Sequence, residues 1–152
     1  MINDLWYKNA VIYCLSVGTF MDANADGIGD FQGLMRRLDY LHGLGITAIW
    51  LMPFQSSPCR DDGYDIADYY GVNSRHGTLG DFVEFTHGAK QRGIRVIIDL
   101  VVNHTSDQHP WFRTCEFVQS PLSRDSVCHL LRRVGRVSLI PLLKISASFS
   151  RR

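Results

Sequence analysis

Three short stretches of the chain are almost continuously apolar and rich in β-branched residues. They lie near residues 11–17, 47–52 and 95–102. Runs of this length and composition favour strands that are buried on both faces of a parallel sheet. The third run is interrupted by Asp99 and closes on Asn103 and His104, so polar groups are expected where that strand ends.

Two longer stretches repeat their apolar residues every three or four positions. Residues 31–44 and 78–92 show this spacing, and Gly45 and Gly93 follow them directly. The spacing predicts two helices, each stopped by a glycine that can adopt a left-handed conformation. The order strand, helix, strand, helix, strand needs right-handed crossovers, so we predict an α/β fold with a parallel sheet.

Neither the apolar runs of strands nor the apolar spacing of helices extends over the whole chain. Residues 55–75 form a long polar segment, which we interpret as a loop that is either functional or disordered. Both patterns are lost after residue 112. The net charge also changes there, from −5 over residues 1–112 to +6 over residues 113–152. We therefore predict one domain over 1–112 and an unassigned basic tail over 113–152, and the abrupt change indicates a frameshift or a truncated reading frame.

The composition of the chain excludes several classes of protein. It is 45% hydrophobic and 20% charged, as ordinary globular proteins are. No apolar run reaches the roughly 18 residues of a membrane span, and the N-terminus lacks the features of a signal peptide. Four cysteines without a C-x-x-C pair favour free thiols and a cytoplasmic protein. The basic tail has few aromatic residues and no known motif, which argues against nucleic acid as a partner.

Oxygen-bearing side chains alternate in the segment that follows the first predicted strand. The segment contains Asp22, Asn24, Asp26, Gly27 and Asp30. Such alternation around a sharp glycine turn is typical of loops that bind Ca²⁺, although Gly33 stands where an EF-hand loop carries its Glu. The alternative is a turn rich in Asx hydrogen bonds that caps the next helix at Asp30. We favour the metal-binding interpretation because the alternation is specific.

A second acidic segment follows the second predicted strand. It reads D-D-G-Y-D over residues 61–65. Its carboxylates can hold a sugar hydroxyl while the ring of Tyr64 stacks on the sugar's apolar face, although a solvated turn explains the spacing equally well. Because the carboxyl ends of parallel strands meet at one edge of a sheet, we expect Asp61, Tyr64 and His104 to lie together there. Taken singly, His104 is more often a satisfied buried imidazole.

Several motifs occur in the order in which one known enzyme family carries them. D-A-N-A-D-G-I-G-D-F at residues 22–31 resembles the first-loop calcium site of the α-amylase family, glycoside hydrolase family 13, and D-L-V-V-N-H at residues 99–104 resembles its third strand. R-D-D-G-Y-D-I-A-D-Y and H-T-S-D-Q-H-P-W-F look most like the branch that isomerises maltose to trehalose. The resemblance implies a (β/α)₈ barrel acting on α-glucosidic bonds, of which residues 5–112 would supply about three βα units.

The resemblance also implies roles for individual residues. A structural Ca²⁺ ion would be held by Asp22, Asn24, Asp26, Asp30 and the carbonyl group of Ile28. Asp61 and Tyr64 would line the subsite for the non-reducing glucose of an α-glucoside such as maltose or trehalose. His104 would hydrogen-bond the hydroxyl groups of that sugar, and Asp99 and Asn103 would support the site from the third strand.

The catalytic carboxylates of the family have no counterpart that we can assign. Family members use an Asp nucleophile on the fourth strand and a Glu acid/base on the fifth, and Glu116 and Asp125 lack that context. Cys14 and Gly18 also stand where relatives often carry a polar residue and an Arg. We therefore expect a fragment of an α-amylase-family enzyme that is inactive by itself. The alternative is a non-catalytic module that binds calcium or a glucan.

Overall fold

The computed structural model describes residues 5–117 and divides the chain into two units, residues 1–109 and residues 110–152. After a short 3-10 helix, Trp6–Asn9, the first unit contains β1 (Ile12–Leu15), α1 (Val17–Phe20), α2 (Phe31–Arg36), α3 (Leu38–Gly43), β2 (Ala48–Leu51), β3 (Gln55–Ser56), β4 (Asp68–Val72), α4 (Leu79–Gln91) and β5 (Arg95–Ile98). The second unit begins with α5 (Pro110–Phe117), and the predicted tail otherwise lies outside the described residues. Among the described helices, none is long and apolar enough to span a membrane.

The main sheet consists of three parallel strands in the order β1-β2-β5. Leu15, Leu51 and Ile98 stand side by side at its carboxyl edge. This arrangement confirms the predicted parallel strands, and both connections pass through helices, as an α/β fold requires. Each strand is shorter than predicted, because the chain enters α1 at Val17 and leaves the sheet after Ile98.

One face of this sheet packs against the helices. Phe31 of α2 and Phe85 of α4 are fully buried in the same apolar cluster as Ile49 and Leu51 of β2. The ring of Phe31 meets the ring of Phe54 edge-on, with 5.2 Å between the centroids. Burial of each such side chain contributes roughly 1.5–3 kcal/mol, so this layer stabilises the unit.

The second predicted helix is confirmed as α4. Thr78 caps it by accepting a hydrogen bond from the backbone N–H of Asp81, whose carboxylate accepts one from the backbone N–H of Thr78 in return. Phe85 and Ala89 face the core, as their spacing predicted. Gly93 follows the helix with a φ of +71°, which is the left-handed conformation expected of a glycine stop.

The prediction of a single helix over residues 31–44 is wrong. Residues 31–44 form two short helices, α2 and α3, rather than one. Arg37 has φ −101° and ψ 1°, outside the α-helical range, and this local turn separates them. Gly45 has a φ of +78° just beyond α3, so the predicted position of the stop is confirmed.

The prediction of a loop over residues 55–75 is also wrong. The strands β3 and β4 form a small antiparallel sheet in which Gln55 faces Val72 and Ser56 faces Asp68, with a register shift between the two pairs. The acid-aromatic segment lies in the connection between these strands. It is therefore held at both ends by regular structure.

Candidate functional site

Asp99 lies directly after β5 and joins two other parts of the chain. The indole Nε1 of Trp50, on β2, donates a hydrogen bond of 2.8 Å to Asp99 Oδ1. The hydroxyl group of Tyr64 donates one of 2.9 Å to Asp99 Oδ2. Each carboxylate oxygen therefore accepts a hydrogen bond. These two bonds offset the desolvation penalty of placing an acidic group at the end of an apolar strand. Asp99 therefore holds the side chains of Trp50 and Tyr64, and its support of a sugar site stays a prediction.

The hydroxyl group of Tyr64 is held in its neutral form. Burial, followed by the hydrogen bond to Asp99, raises the pKa of Tyr64 to about 12. The residue is half-buried, so part of its ring remains accessible from solvent. Tyr64 can therefore offer a ring of fixed orientation to a ligand while its hydroxyl group stays engaged with the sheet.

A tight turn positions the rest of the acid-aromatic segment. The backbone N–H of Tyr64 donates to the carbonyl oxygen of Asp61 at 2.8 Å. The carboxylate of Asp65 accepts hydrogen bonds from the Ser57 hydroxyl group and the Arg60 backbone N–H. Burial alone would raise the pKa of Asp65, but these hydrogen bonds outweigh it and hold the pKa below its usual value. The turn leaves Asp61 exposed to solvent, where its carboxylate can meet a ligand.

The segment that carries Asn103 and His104 is fixed through its main chain. The hydroxyl group of Tyr69, on β4, lies 2.9 Å from the carbonyl oxygen of Val101 and 3.0 Å from that of His104. The side-chain amide of Asn103 lies 3.5 Å from Nδ1 of the His104 ring. Both residues follow β5, as expected, but the convergence of the His104 ring with Asp61 and Tyr64 stays a prediction.

The loop after α1 is closed by hydrogen bonds from its own backbone. Asp22 Oδ1 accepts from Ala25 N–H at 2.7 Å, and Oδ2 accepts from Gly27 N–H at 2.7 Å. The contact with Gly27 is the largest of the effects that lower the pKa of Asp22, so this carboxylate is ionised over a wide pH range. Asn24 and Asp26 each accept from the residue two positions on, which repeats the same Asx pattern.

Asp30 ends this loop and begins α2. Its Oδ1 accepts from the backbone N–H of Gly33 at 2.6 Å, and its Oδ2 accepts from that of Ala23 at 3.1 Å. The interpretation as an Asx turn with a helix cap is therefore confirmed. The oxygen donors suit a hard cation such as Ca²⁺. Within residues 5–117, however, no group of three or more His, Cys, Asp or Glu side chains is arranged to hold a metal, and the calcium site stays a prediction.

Three contacts around the carboxyl edge of the sheet and the acid-aromatic segment were not predicted from the sequence. Trp50 was assigned to an apolar strand, and Tyr69 lay in a segment predicted to be a loop. The third is an ion pair of 2.9 Å between the guanidinium group of Arg60 and the carboxylate of Asp107. Each contact joins residues more than 30 positions apart, so no local spacing pattern could indicate it.

The structure describes the side chains of two of the four cysteines. Cys14 and Cys59 are both free, as predicted, and both lie at the surface. Partial burial, followed by the charge of Asp99, raises the pKa of the Cys14 thiol above its usual value. Cys14 therefore lies near the carboxyl edge of the sheet as a neutral thiol, where relatives were expected to carry a polar residue.

Comparison with known proteins identifies the family. The model of the α-amylase catalytic domain matches residues 12–130, so the match runs beyond the boundary predicted at residue 112. Over 122 residues the chain is 57% identical to trehalose synthase of Thermus thermophilus, covering 80% of this chain and 12% of that protein. It is 51% identical over 121 residues to glucan 1,6-alpha-glucosidase of Streptococcus pneumoniae, covering 79% of this chain and 23% of the relative.

Solved structures agree with this result. Trehalulose synthase MutB from Pseudomonas mesoacidophila MX-45 superposes with a TM-score of 0.71 at 51% identity, covering 72% of this chain and 20% of that one. A MutB mutant in complex with the substrate sucrose superposes with a TM-score of 0.72 at 50% identity, covering 74% of this chain and 20% of that one. The chain thus spans about an eighth to a quarter of the length of these relatives, and its fold is the N-terminal part of a (β/α)₈ barrel. This chain belongs to the α-amylase family.

Proposed function

We propose that this chain forms the part of an α-amylase-family enzyme that binds the non-reducing glucosyl unit of an α-glucoside such as maltose or trehalose. The observation that supports the proposal is the link from Tyr64 through Asp99 to Trp50, which fixes an accessible aromatic ring at the carboxyl edge of a parallel sheet. That edge is where barrels of this kind place their binding groups. The 57% identity to a trehalose synthase supports the choice of substrate.

Each proposed contact follows from the chemistry of its residue. The ring of Tyr64 offers a flat apolar surface on which the C–H groups of a glucose ring can stack. The exposed carboxylate of Asp61 accepts hydrogen bonds from sugar hydroxyl groups, and the half-buried imidazole of His104 can donate or accept one. Asn103, beside His104, supports the ring. None of these groups is a nucleophile or an acid/base for bond cleavage.

We further propose that the full 152-residue chain does not turn over its ligand by itself. Cleavage of a glucosidic bond with retention needs two carboxyl groups about 5–5.5 Å apart on either side of the bond. The acidic residues assigned to roles in this chain serve binding, support or the loop after α1. Incubation with maltose should yield neither trehalose nor glucose above a blank, and turnover that is lost in Glu116→Gln or Asp125→Asn would contradict this.

The binding proposal is tested by titrating the full chain with maltose and with trehalose, followed by protein NMR. Tyr64→Ala should weaken binding at least tenfold, because it removes the stacking surface. Tyr70→Ala is the matched control, since this neighbouring tyrosine is 88% exposed, and its affinity should equal that of the wild type. Equal binding by Tyr64→Ala, or equal loss in both variants, would overturn the proposal.

We also propose that Ca²⁺ binds in the loop of residues 22–30. The alternating oxygen donors around the turn at Gly27 support this, because carboxylate and amide oxygens are the ligands that Ca²⁺ prefers. Calorimetric titration with Ca²⁺ should give saturable binding that Asp22→Asn weakens at least tenfold. Asp62→Asn, an acidic residue outside this loop, is the control and should bind as the wild type does. Absence of binding by the folded wild type would exclude the site.

The free thiols of Cys14 and Cys59 favour a reducing compartment, and we propose that the protein works in the cytoplasm. Localisation of a tagged chain by fractionation of cells tests this directly. Recovery with periplasmic or secreted proteins would contradict it.

A further inference from the structure

The hydroxyl group of Tyr69 has an unusual position between two carbonyl groups of one turn. It lies 2.9 Å from the oxygen of Val101 and 3.0 Å from that of His104, which are three residues apart. Partial burial raises the pKa of Tyr69, so the hydroxyl group keeps the proton that it donates. Because one side chain meets both carbonyls, it sets the distance between the two ends of the turn.

The same segment is anchored beyond the turn as well. The backbone N–H of Ser106 donates to the carbonyl oxygen of Ile66 at 2.9 Å, and the His109 ring lies 5.5 Å from the Tyr69 ring between centroids. Val101, Ser106 and His109 are all buried. Between these fixed points the ring of His104 is half-buried, so the main chain of this residue is held while its imidazole can still meet a ligand.

We propose that Tyr69 is a positioning residue for the sugar subsite, which fixes the main chain of His104 and thereby the direction of its imidazole. This inference rests on the proposed function, since it assumes that His104 contacts the glucosyl unit. Tyr69 acts through His104 and does not itself touch the sugar. Its strand, β4, directly follows the connection of residues 57–67 that carries Tyr64.

The inference predicts a local consequence of removing one oxygen atom. Phenylalanine keeps the ring of Tyr69 and its packing against His109 but removes the donor shared by the two carbonyls. The turn at 101–104 should then open more often, while the sheet formed by β1, β2 and β5 should not change. A purely structural role would instead lower the stability of the whole unit.

The experiment compares Tyr69→Phe with Tyr70→Phe in the full chain, using amide hydrogen exchange and the NMR signals of the His104 ring. We expect Tyr69→Phe to raise exchange of the Ser106 amide, which donates to the carbonyl oxygen of Ile66, about tenfold. It should also shift the His104 ring signals and weaken maltose binding about tenfold, equivalent to 1.4 kcal/mol. Tyr70→Phe should match the wild type in all three measurements. Exchange should remain unchanged in β2.

Four results are informative about the inference. Unchanged exchange and unchanged His104 signals in Tyr69→Phe would overturn it. A uniform rise in exchange throughout the sheet would also overturn it, because it would show general destabilisation. Local opening without any loss of maltose affinity would show that the turn does not serve the subsite. If the wild type binds no maltose, the proposed function fails, whereas local opening with shifted His104 signals would still show that Tyr69 positions this histidine.

Discussion

Asp99 shows how one carboxylate can organise a binding edge. A lone acidic group at the end of an apolar strand would be costly, and Trp50 and Tyr64 remove that cost by donating to separate oxygens. The carboxylate in turn favours the neutral hydroxyl group of Tyr64. The folded pKa of about 12 exceeds the ordinary value of 10, so the resulting stabilisation is fully present below pH 10 and is lost as the pH rises toward 12.

Ionisation of Tyr64 should therefore be visible as a late step in the tyrosinate absorbance of the folded chain. We expect a group that titrates near pH 12, absent in Tyr64→Phe and retained in Tyr70→Phe. Asp99→Asn should move the step to lower pH, because the acceptor loses its charge. If the step stays in place in Asp99→Asn, burial alone sets the pKa and the hydrogen bond contributes little.

Gly33 is required by close packing rather than by backbone conformation. A Cβ atom at this position would lie 2.1 Å from the carbonyl oxygen of Met21, so the first turn of α2 would have to move. We expect Gly33→Ala to lower the free energy of unfolding by about 2 kcal/mol or more in urea denaturation. Gly43→Ala is the control, since a Cβ atom at that position would have no neighbouring atom within 4 Å, and it should be neutral or stabilising. Equal effects of the two substitutions would contradict the packing argument.

The regular elements differ in how far the sequence predicts them. Apolar runs and helical spacing identify β1, β2, β5 and α4 because each signal extends over enough residues to define a period. Arg37 breaks the first helix without any Pro or Gly signal, and the two-residue strand β3 is too short to show alternation. The contacts of Trp50 and Tyr69 depend on how distant segments pack, which no local pattern encodes.

The contribution of the N-terminal cap of α4 to stability can be measured with a single substitution. Thr78→Ala removes the acceptor that caps the helix, and we expect the free energy of unfolding to fall by about 1 kcal/mol. Thr86→Ala removes a hydroxyl group that donates to Val83 O within the same helix, and it should leave stability unchanged or slightly raised. Chemical denaturation of both variants makes the comparison. A larger loss in Thr86→Ala would show that the cap contributes little.

The three-stranded sheet is packed against helices on one face, whereas its two edge strands, β1 and β5, have fewer neighbours. Within the described residues, β1 and β5 each pair only with β2, whereas strands of a closed barrel have partners on both sides. The chain continues from β5 with Leu100 and Val102, which are 77% and 73% exposed. An apolar segment that extends an edge strand favours association with other chains.

We therefore expect the purified 152-residue chain to form larger species as its concentration rises in sedimentation velocity. The double variant Leu100→Lys/Val102→Lys should remain monomeric, because it places charge on this exposed segment while changing no buried side chain. Leu44→Lys/Val83→Lys adds the same charge at exposed apolar positions just after α3 and on α4, and it should associate as the wild type does. A monomeric wild type at all concentrations would contradict the prediction. Equal relief by both double variants would show that net charge, rather than the edge beside β5, controls association.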